Sequence, residues 1–234
     1  MHSLAAAILV TLAFAILARV LRGVSISGAL AGALVCLLLY ASAGPGAFVA
    51  LVAVFVITWA GTKLGYRRKQ RLGTAERREG RRASQVLANL SVATACAVLF
   101  AMTRGEAVFL LAMAAALCEA TADTVSSELG QALSPRARLI TTWQEVPAGT
   151  DGGISLAGTL AGAGAAVLIS AVCTGVGLLS RNWIAPAIAV LSAILGMIAD
   201  SFLGAWLERR GILNNDLVNL LGTLVAAGIP LLLS

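Results

Sequence analysis

Residues 107–130 read AVFLLAMAAALCEATADTVSSELG. The first eleven positions carry no charge, and then Glu119, Asp123 and Glu128 arrive within ten residues. The apolar run predicts a membrane-crossing helix, with its acids gathered toward one end. A carboxylate held in the hydrocarbon costs about 3 kcal/mol or more. Glu119 and Asp123 are four residues apart and share one helical face. That face must therefore point into a bundle of helices.

The rest of the chain supports this reading. Of 234 residues, 59% are hydrophobic and only 12% charged, against about 25% charged in soluble domains. Mean hydropathy is +0.91. The fold class expected is all-α, a polytopic transmembrane bundle forming a single integral membrane domain over residues 1–234. Glycine is abundant, at 24 residues, and aromatics make up only 5%, which suits close helix packing. Eight apolar spans are predicted: 3–18, 24–43, 47–62, 83–102, 107–122, 154–177, 183–205 and 217–233. The first, third and fifth are short against the roughly 20 residues of a full crossing, so six or seven crossings also fit. The first span is followed, not preceded, by Arg19 and Arg22, the wrong order for a cleavable signal peptide.

Eight crossings put 15 of the 17 basic residues on one side, leaving only Arg104 and Arg181 opposite. The positive-inside rule then makes the basic side cytoplasmic and puts both termini on the other. The expected location is a bacterial inner membrane with its active face toward the cytoplasm. The basic charge thus has a topological cause, and a nucleic-acid partner is not expected. Two cytoplasmic segments stand out, a basic loop at 63–82 and a motif loop at 123–153. The basic loop, with nine Lys and Arg, serves orientation on anionic lipid, binding of an anionic substrate, or both. Cys36, Cys96, Cys118 and Cys173 lie scattered in apolar runs, and the only histidine is His2. They read as buried hydrophobes, without disulfide or zinc spacing.

Polar residues on three spans reach a common depth. Counting at about 1.5 Å per residue, Glu119 lies roughly 12 Å from the cytoplasmic boundary, Asp123 roughly 6 Å and Asp200 roughly 5 Å. Gln85 and Asn89 enter from the same side to roughly 3 and 9 Å. Arg81, Gln85 and Asn89 are spaced as one helical face. Neighbouring carboxylates resist double ionisation, and hard oxygen ligands without His or Cys suit Mg²⁺. The stretch GTDGGIS at 149–155 can cradle phosphate by backbone N–H groups or simply start a helix. In NNDLVN at 214–219, Asn and Asp can cap a helix, while Asn219 can face the same site. Glu145, Glu208 and Asp216 are ordinary loop acids on this reading. SGALAGALV (27–35), AGTLAGAGAAV (157–167) and LGTLVAAGI (221–229) echo one another weakly, as small-residue packing alone would produce. Acids for a metal, glycine and basic residues for phosphate, and a lipid-facing bundle together fit phosphoryl or nucleotidyl transfer to a lipid. There is no Walker A pattern and no protein-kinase loop set.

Six pieces carry a family resemblance: SGALAGALV, GRRASQVLAN (80–89), EATADTVSSELG (119–130), GTDGGISLAGTLAG (149–162), ADSFLGAWLE (199–208) and NNDLVNLLGT (214–223). In this order and combination the chain resembles the integral membrane family that includes plant phytyl-phosphate kinase and an animal transmembrane protein. It departs from the family pattern at Val125 and Ser126, and at Asp151 where Asn is common.

The resemblance implies a prenyl-phosphate kinase. Such an enzyme moves a phosphoryl group from a nucleoside triphosphate, with CTP expected, to phytyl or another isoprenyl monophosphate. Asp123, Asp200 and Glu119 are the expected catalytic acids. Asp123 and Asp200 would hold Mg²⁺, supported by Glu119 or Glu128. Thr150, Asp151, Gly152 and Gly153 would hold nucleotide phosphates. Lys63, Arg81 and Arg82 would neutralise phosphate oxygens. Gln85, Asn89, Asn215 and Asn219 would orient groups by hydrogen bonds, and Ser126 or Ser127 could reach phosphate or cap a helix. Two other readings stay open: a CTP-dependent lipid cytidylyltransferase and an ion-coupled transporter. The second fits less well, because carriers bind near the midplane and these polar residues sit toward one face.

Overall fold

The helix that opens with Ala107 does not stop where its apolar run stops. It continues to Leu133, through Asp123, Ser127 and Glu128. The computed structural model describes residues 4–234; Met1, His2 and Ser3, which include the start of the first expected span, lie outside the described residues. The helices are α1 (Leu4–Val20), α2 (Ile26–Ala43), α3 (Pro45–Lys63), the short α4 (Tyr66–Leu72), α5 (Ala83–Met102), α6 (Ala107–Leu133), α7 (Leu156–Gly175), α8 (Ile184–Leu203) and α9 (Asn215–Leu232). Seven are long and apolar enough to cross a membrane; α1 is apolar but shorter. With α1 counted, each of the eight expected spans is a helix over its described residues; α4 lies between α3 and α5, and a small sheet lies between α6 and α7.

Local chemistry sets the boundaries. Ser25 and Ser155 cap α2 and α7, each accepting from the N–H of a glycine three residues on, Gly28 and Gly158, at 3.1 Å. Asn214 caps α9 by accepting from Leu217 N–H at 2.9 Å. Each satisfies an N–H that the first turn leaves unpaired. Pro45 opens α3, where its missing N–H costs nothing.

Residues 112 to 122 of α6 are buried without interruption. A helix apolar and covered on every side is the centre of a bundle. Indeed α3, α5, α7, α8 and α9 all pack on α6, while α2 sits outside on α3 and α5, and α1 packs on α2 with Phe14 against Phe48 and Phe55 of α3. Alanine and glycine make the packing close. A Cβ at Gly158 would stand 2.5 Å from the Ser126 carbonyl oxygen, and one at Gly162 would stand 2.7 Å from that of Ala122. All four cysteines are free and buried, as expected of small core residues.

The expected loop at 123–153 needs correction. Its first part is the last turns of α6, because Ser, Glu and Gln tolerate a helix once it is anchored by packing. Its second part is a three-stranded antiparallel sheet with β1 (Arg136–Leu139) between β2 (Glu145–Pro147) and β3 (Gly153–Ile154). Ala137 and Leu139 face inward, while Arg136 and Arg138 face out. The basic loop at 63–82 likewise contains α4. At its far end α8 widens into a π turn, Gly204–Glu208, closed by Arg209 N–H donating to the Gly204 carbonyl at 3.2 Å.

Candidate functional site: a polar cavity at the basic end

The acids come from α6 and α8. Glu119 is only 1% exposed, and its Oε1 has no hydrogen-bond partner. It fits between α8 and α9 because both present glycine. A Cβ at Gly196 would stand 2.7 Å from Glu119 Cγ, and one at Gly222 would stand 2.6 Å from Glu119 Oε1. The same point beside Gly222 is 3.4 Å from Asp200 Oδ2, which is also buried without a partner. One turn along α6, Asp123 lines the same cavity as Asp200. Asp200, Gly204 and Glu208 follow at four-residue steps through the π turn and line one cavity with Asp123.

The opposite wall comes from the segment leading into α5. Arg81 precedes the helix, so Arg81, Gln85 and Asn89 are not one helical face as the spacing predicts. They nonetheless line one cavity together, because the Arg81 backbone is pinned. Its N–H donates to the Gly23 carbonyl at 3.1 Å, and its carbonyl accepts from Ser25 N–H at 2.9 Å. The guanidinium of Arg81 then faces Asp123 and donates to Thr124 Oγ1 at 3.4 Å. Gln85 accepts from Arg82 N–H at 2.9 Å and donates to Glu76 at 3.1 Å. Asn89 is buried and donates to the Gln85 carbonyl at 2.8 Å.

The glycine loop closes the third side. Thr150 Oγ1 donates to the Pro147 carbonyl at 2.8 Å. Gly152 has φ +71°, and a Cβ there would stand 2.5 Å from the Ala205 nitrogen. Only glycine permits both that dihedral and that contact with the π turn. Thr150, Asp151, Gly152 and Gly153 line the cavity with Asp123, Asp200 and Glu208. Asp151, Ser127 and Asn215 also border the adjoining cavity of Arg81, Gln85, Asn89 and Asn219. The two share Asp123 and form one polar basin.

Residues 9–227 match the family model described as Integral membrane protein DUF92. The chain belongs to this family. It is 35% identical over 216 residues to the chloroplastic protein VTE6 of Arabidopsis thaliana, an alignment covering 87% of this chain and 64% of that protein. The chain thus spans less than two thirds of VTE6. An uncharacterized membrane protein of Synechocystis is 32% identical over 198 residues, 83% of this chain and 76% of that one. The Arabidopsis protein PGR is 31% identical over 215 residues, 81% and 74% respectively. No solved structure matches.

In this DUF92 bundle the six sequence pieces that carry the resemblance meet around the basin. SGALAGALV does so indirectly: a Cβ at Gly28 would stand 2.1 Å from the Arg81 carbonyl oxygen, so that glycine lets α2 seat Arg81. Three expected site residues, Glu119, Lys63 and Arg82, line neither cavity, and a fourth, Glu128, is otherwise engaged; Glu119 is buried one turn behind Asp123. Lys63, at the exposed end of α3, rims an apolar groove instead. Arg82 is exposed and lines neither cavity. Glu128 borders the basin, but its carboxylate is taken by Lys69 and by Thr62 Oγ1 at 2.9 Å. Asn214, not Asn215, caps α9, which frees Asn215 and Asn219 to face the basin.

Glu208 in the basin and Lys69 at its edge escape a reading of the sequence alone. Glu208 reads as a loop acid, although its eight-residue spacing from Asp200 is the helical signal for a shared face. Lys69 is hidden among the basic residues of 63–82, and nothing in its neighbours marks it as the buried one.

Among the described residues no three His, Cys, Asp or Glu side chains form a ready metal cluster. Mg²⁺ does not require one. It takes one or two carboxylates, keeps waters and completes its shell with substrate phosphates. The paired Asp123 and Asp200, with unpartnered buried oxygens on Asp200 and Glu119, form a hard oxygen donor set of that kind.

Proposed function

We propose that this DUF92 chain is a membrane kinase that makes prenyl diphosphates. It transfers the γ-phosphoryl group of a nucleoside triphosphate, CTP on the sequence resemblance, to phytyl or another isoprenyl monophosphate. The observation that carries this reading is the basin itself. Asp123 and Asp200, the second with an unpartnered buried oxygen, line a cavity with the glycine loop, and Asp123 joins it to the cavity of Arg81 at one end of a lipid-facing bundle. Similarity to the phytyl-phosphate kinase family supports the same reading. The basic end would face the cytoplasm of a bacterial inner membrane, following the distribution of Lys and Arg.

The reaction needs little beyond positioning and charge neutralisation. A phosphate oxygen of the prenyl monophosphate attacks the γ-phosphorus. The new P–O bond forms, the bond to the β–γ bridging oxygen breaks, and the nucleoside diphosphate leaves with that electron pair. Arg81 draws the acceptor phosphate and offsets its charge. Gln85, Asn89, Asn215 and Asn219 orient it by hydrogen bonds. The N–H groups of Asp151 and Gly152 hold the nucleotide phosphates, while those of Thr150 and Gly153 donate to the carbonyls of Pro147 and Thr150 at 3.3 and 2.8 Å and set the loop's shape. Asp123 and Asp200, with Glu119 behind them, would hold Mg²⁺, which when bound offsets phosphate charge.

The test uses purified chain, Mg²⁺, γ-labelled CTP or ATP, and phytyl monophosphate. Label in the lipid diphosphate supports the kinase. Cytidine on the lipid with release of labelled pyrophosphate overturns it in favour of a cytidylyltransferase. No product with any nucleotide, together with solute uptake in proteoliposomes, overturns it in favour of a carrier.

A further inference from the structure

An apolar groove opens beside the polar basin, between α1, α2, α3 and α5. Phe14, Gly32, Leu51, Phe55 and Leu90 line it. Arg22, Lys63 and Arg77 rim its basic end. From Lys63 back to Leu51, α3 rises by about a dozen residues, or roughly 18 Å. Groove and basin are continuous, because Glu76, Arg81, Gln85 and Asn89 line both. The basin's walls are polar and the groove's are apolar. A molecule that occupies both needs an anionic head at Arg81 and a hydrocarbon tail running away from it between the helices.

We infer that this groove holds the hydrocarbon tail of the phosphate acceptor, and that Gly32 sets how long a tail it accepts. The identity of the ligand rests on the kinase reading; the groove and its continuity with the basin do not.

Gly32 stands apart from the other glycines of the groove. A Cβ at Gly23, Gly28 or Gly80 would stand 2.6, 2.1 or 2.4 Å from its neighbours, so those three hold helices and turns together. A Cβ at Gly32 meets nothing within 4 Å. Gly32 lies about six residues into α2, roughly 9 Å from the start of that helix. That is about half-way along the groove. A side chain placed there grows into open space and divides the groove without disturbing the packing beneath it. Short tails end before that point and long tails must pass it.

The experiment compares wild type, Gly32→Phe and Gly164→Phe with geranyl, farnesyl and phytyl monophosphates. Gly164 is also free of neighbours within 4 Å, but it lies on α7 away from the groove. The quantity read is the ratio of kcat/KM for phytyl over geranyl monophosphate. Gly32→Phe should lower it by roughly tenfold or more, and Gly164→Phe should leave it unchanged. An unchanged ratio in Gly32→Phe overturns the inference.

A second readout does not depend on turnover or on the folding of a variant. Phytyl monophosphate with a photoreactive group at the tail end is cross-linked to wild-type chain in membranes. Labelling at Leu51 or Phe14, competed by geranylgeranyl monophosphate and not by phosphatidylglycerol, supports the groove as the tail site. It does so even if no monophosphate is phosphorylated, in which case the kinase reading alone fails. Labelling confined to lipid-facing Leu9 and Leu12 overturns the groove. So does equal competition by phosphatidylglycerol, which would make the occupant a bilayer lipid.

Discussion

Lys69 and Glu128 form an ion pair at the edge of the polar basin, with the Lys69 side chain completely buried. Its ammonium also donates to the carbonyls of Gly61 at 3.0 Å and Thr62 at 2.8 Å, so all three of its protons are used. Those carbonyls belong to the last turn of α3, where a cation is favoured by the helix dipole. The pair ties α3 and α4 to α6, the helix that carries Glu119 and Asp123.

Removing one partner of such a pair strands the other. Lys69→Met should cost about 3 kcal/mol, the low end for a buried pair, because the Glu128 side chain keeps 14% exposure. Lys69→Met with Glu128→Gln should recover part of the loss. Thermal unfolding in detergent reads both. Equal stability of Lys69→Met and wild type would mean that the pair does not hold α3 to α6.

Asp200→Asn should separate stability from activity. The amide keeps the shape of the carboxylate, can donate to Asp123 and removes the repulsion between neighbouring acids. The melting temperature without Mg²⁺ should rise by roughly 2–4 °C, which is about 1 kcal/mol for a chain of this size. Phosphoryl transfer should fall about a hundredfold or more. A variant less stable than wild type would instead make Asp200 a structural residue.

Two glycines of α9 should respond oppositely to alanine. Gly222→Ala puts a methyl 2.6 Å from Glu119 Oε1 and close to Asp200. It should cut phosphoryl transfer by about tenfold or more, since displacements near 1 Å at a reacting centre have effects on that scale. Gly228→Ala meets nothing within 4 Å and should stabilise by about 0.5 kcal/mol through helix propensity. Initial rates and melting curves on the pair decide it. Equal activity of the two variants would remove Glu119 from the site.

Gly152→Ala tests the third wall. The substitution strains a backbone at φ +71° and drives a methyl against Ala205. With a strain of about 1–3 kcal/mol on the loop, the KM for nucleotide should rise about tenfold while that for prenyl monophosphate holds. The reverse pattern would give this loop to the lipid phosphate.

Much of this architecture is legible in the residues. Hydropathy locates the apolar helices among the described residues. The carboxylates at 119, 123 and 200 stand out because an acid in an apolar run needs a reason. Polar segments are harder, since no hydropathy contrast marks their structure. The last turns of α6 are Ser- and Glu-rich and resemble a loop. The strands β1 to β3 are two to four residues long, too short for an alternating pattern. Lateral contacts are not periodic at all. That Lys69 goes inward while Arg82 stays out depends on where α4 lands on α6, and Arg81 is fixed by backbone bonds to a turn some 60 residues earlier.

The central place of α6 bears on how the chain is made. Glu119 is enclosed by Gly196 of α8 and Gly222 of α9, both synthesised after it. A ribosome feeding helices into a bilayer in order presents α6 with its acid before that enclosure exists. Against lipid, the exposed acid disfavours the nascent helix by about 3 kcal/mol. The helix at the heart of the finished bundle is therefore the one whose place in the membrane gains most when the last two helices arrive.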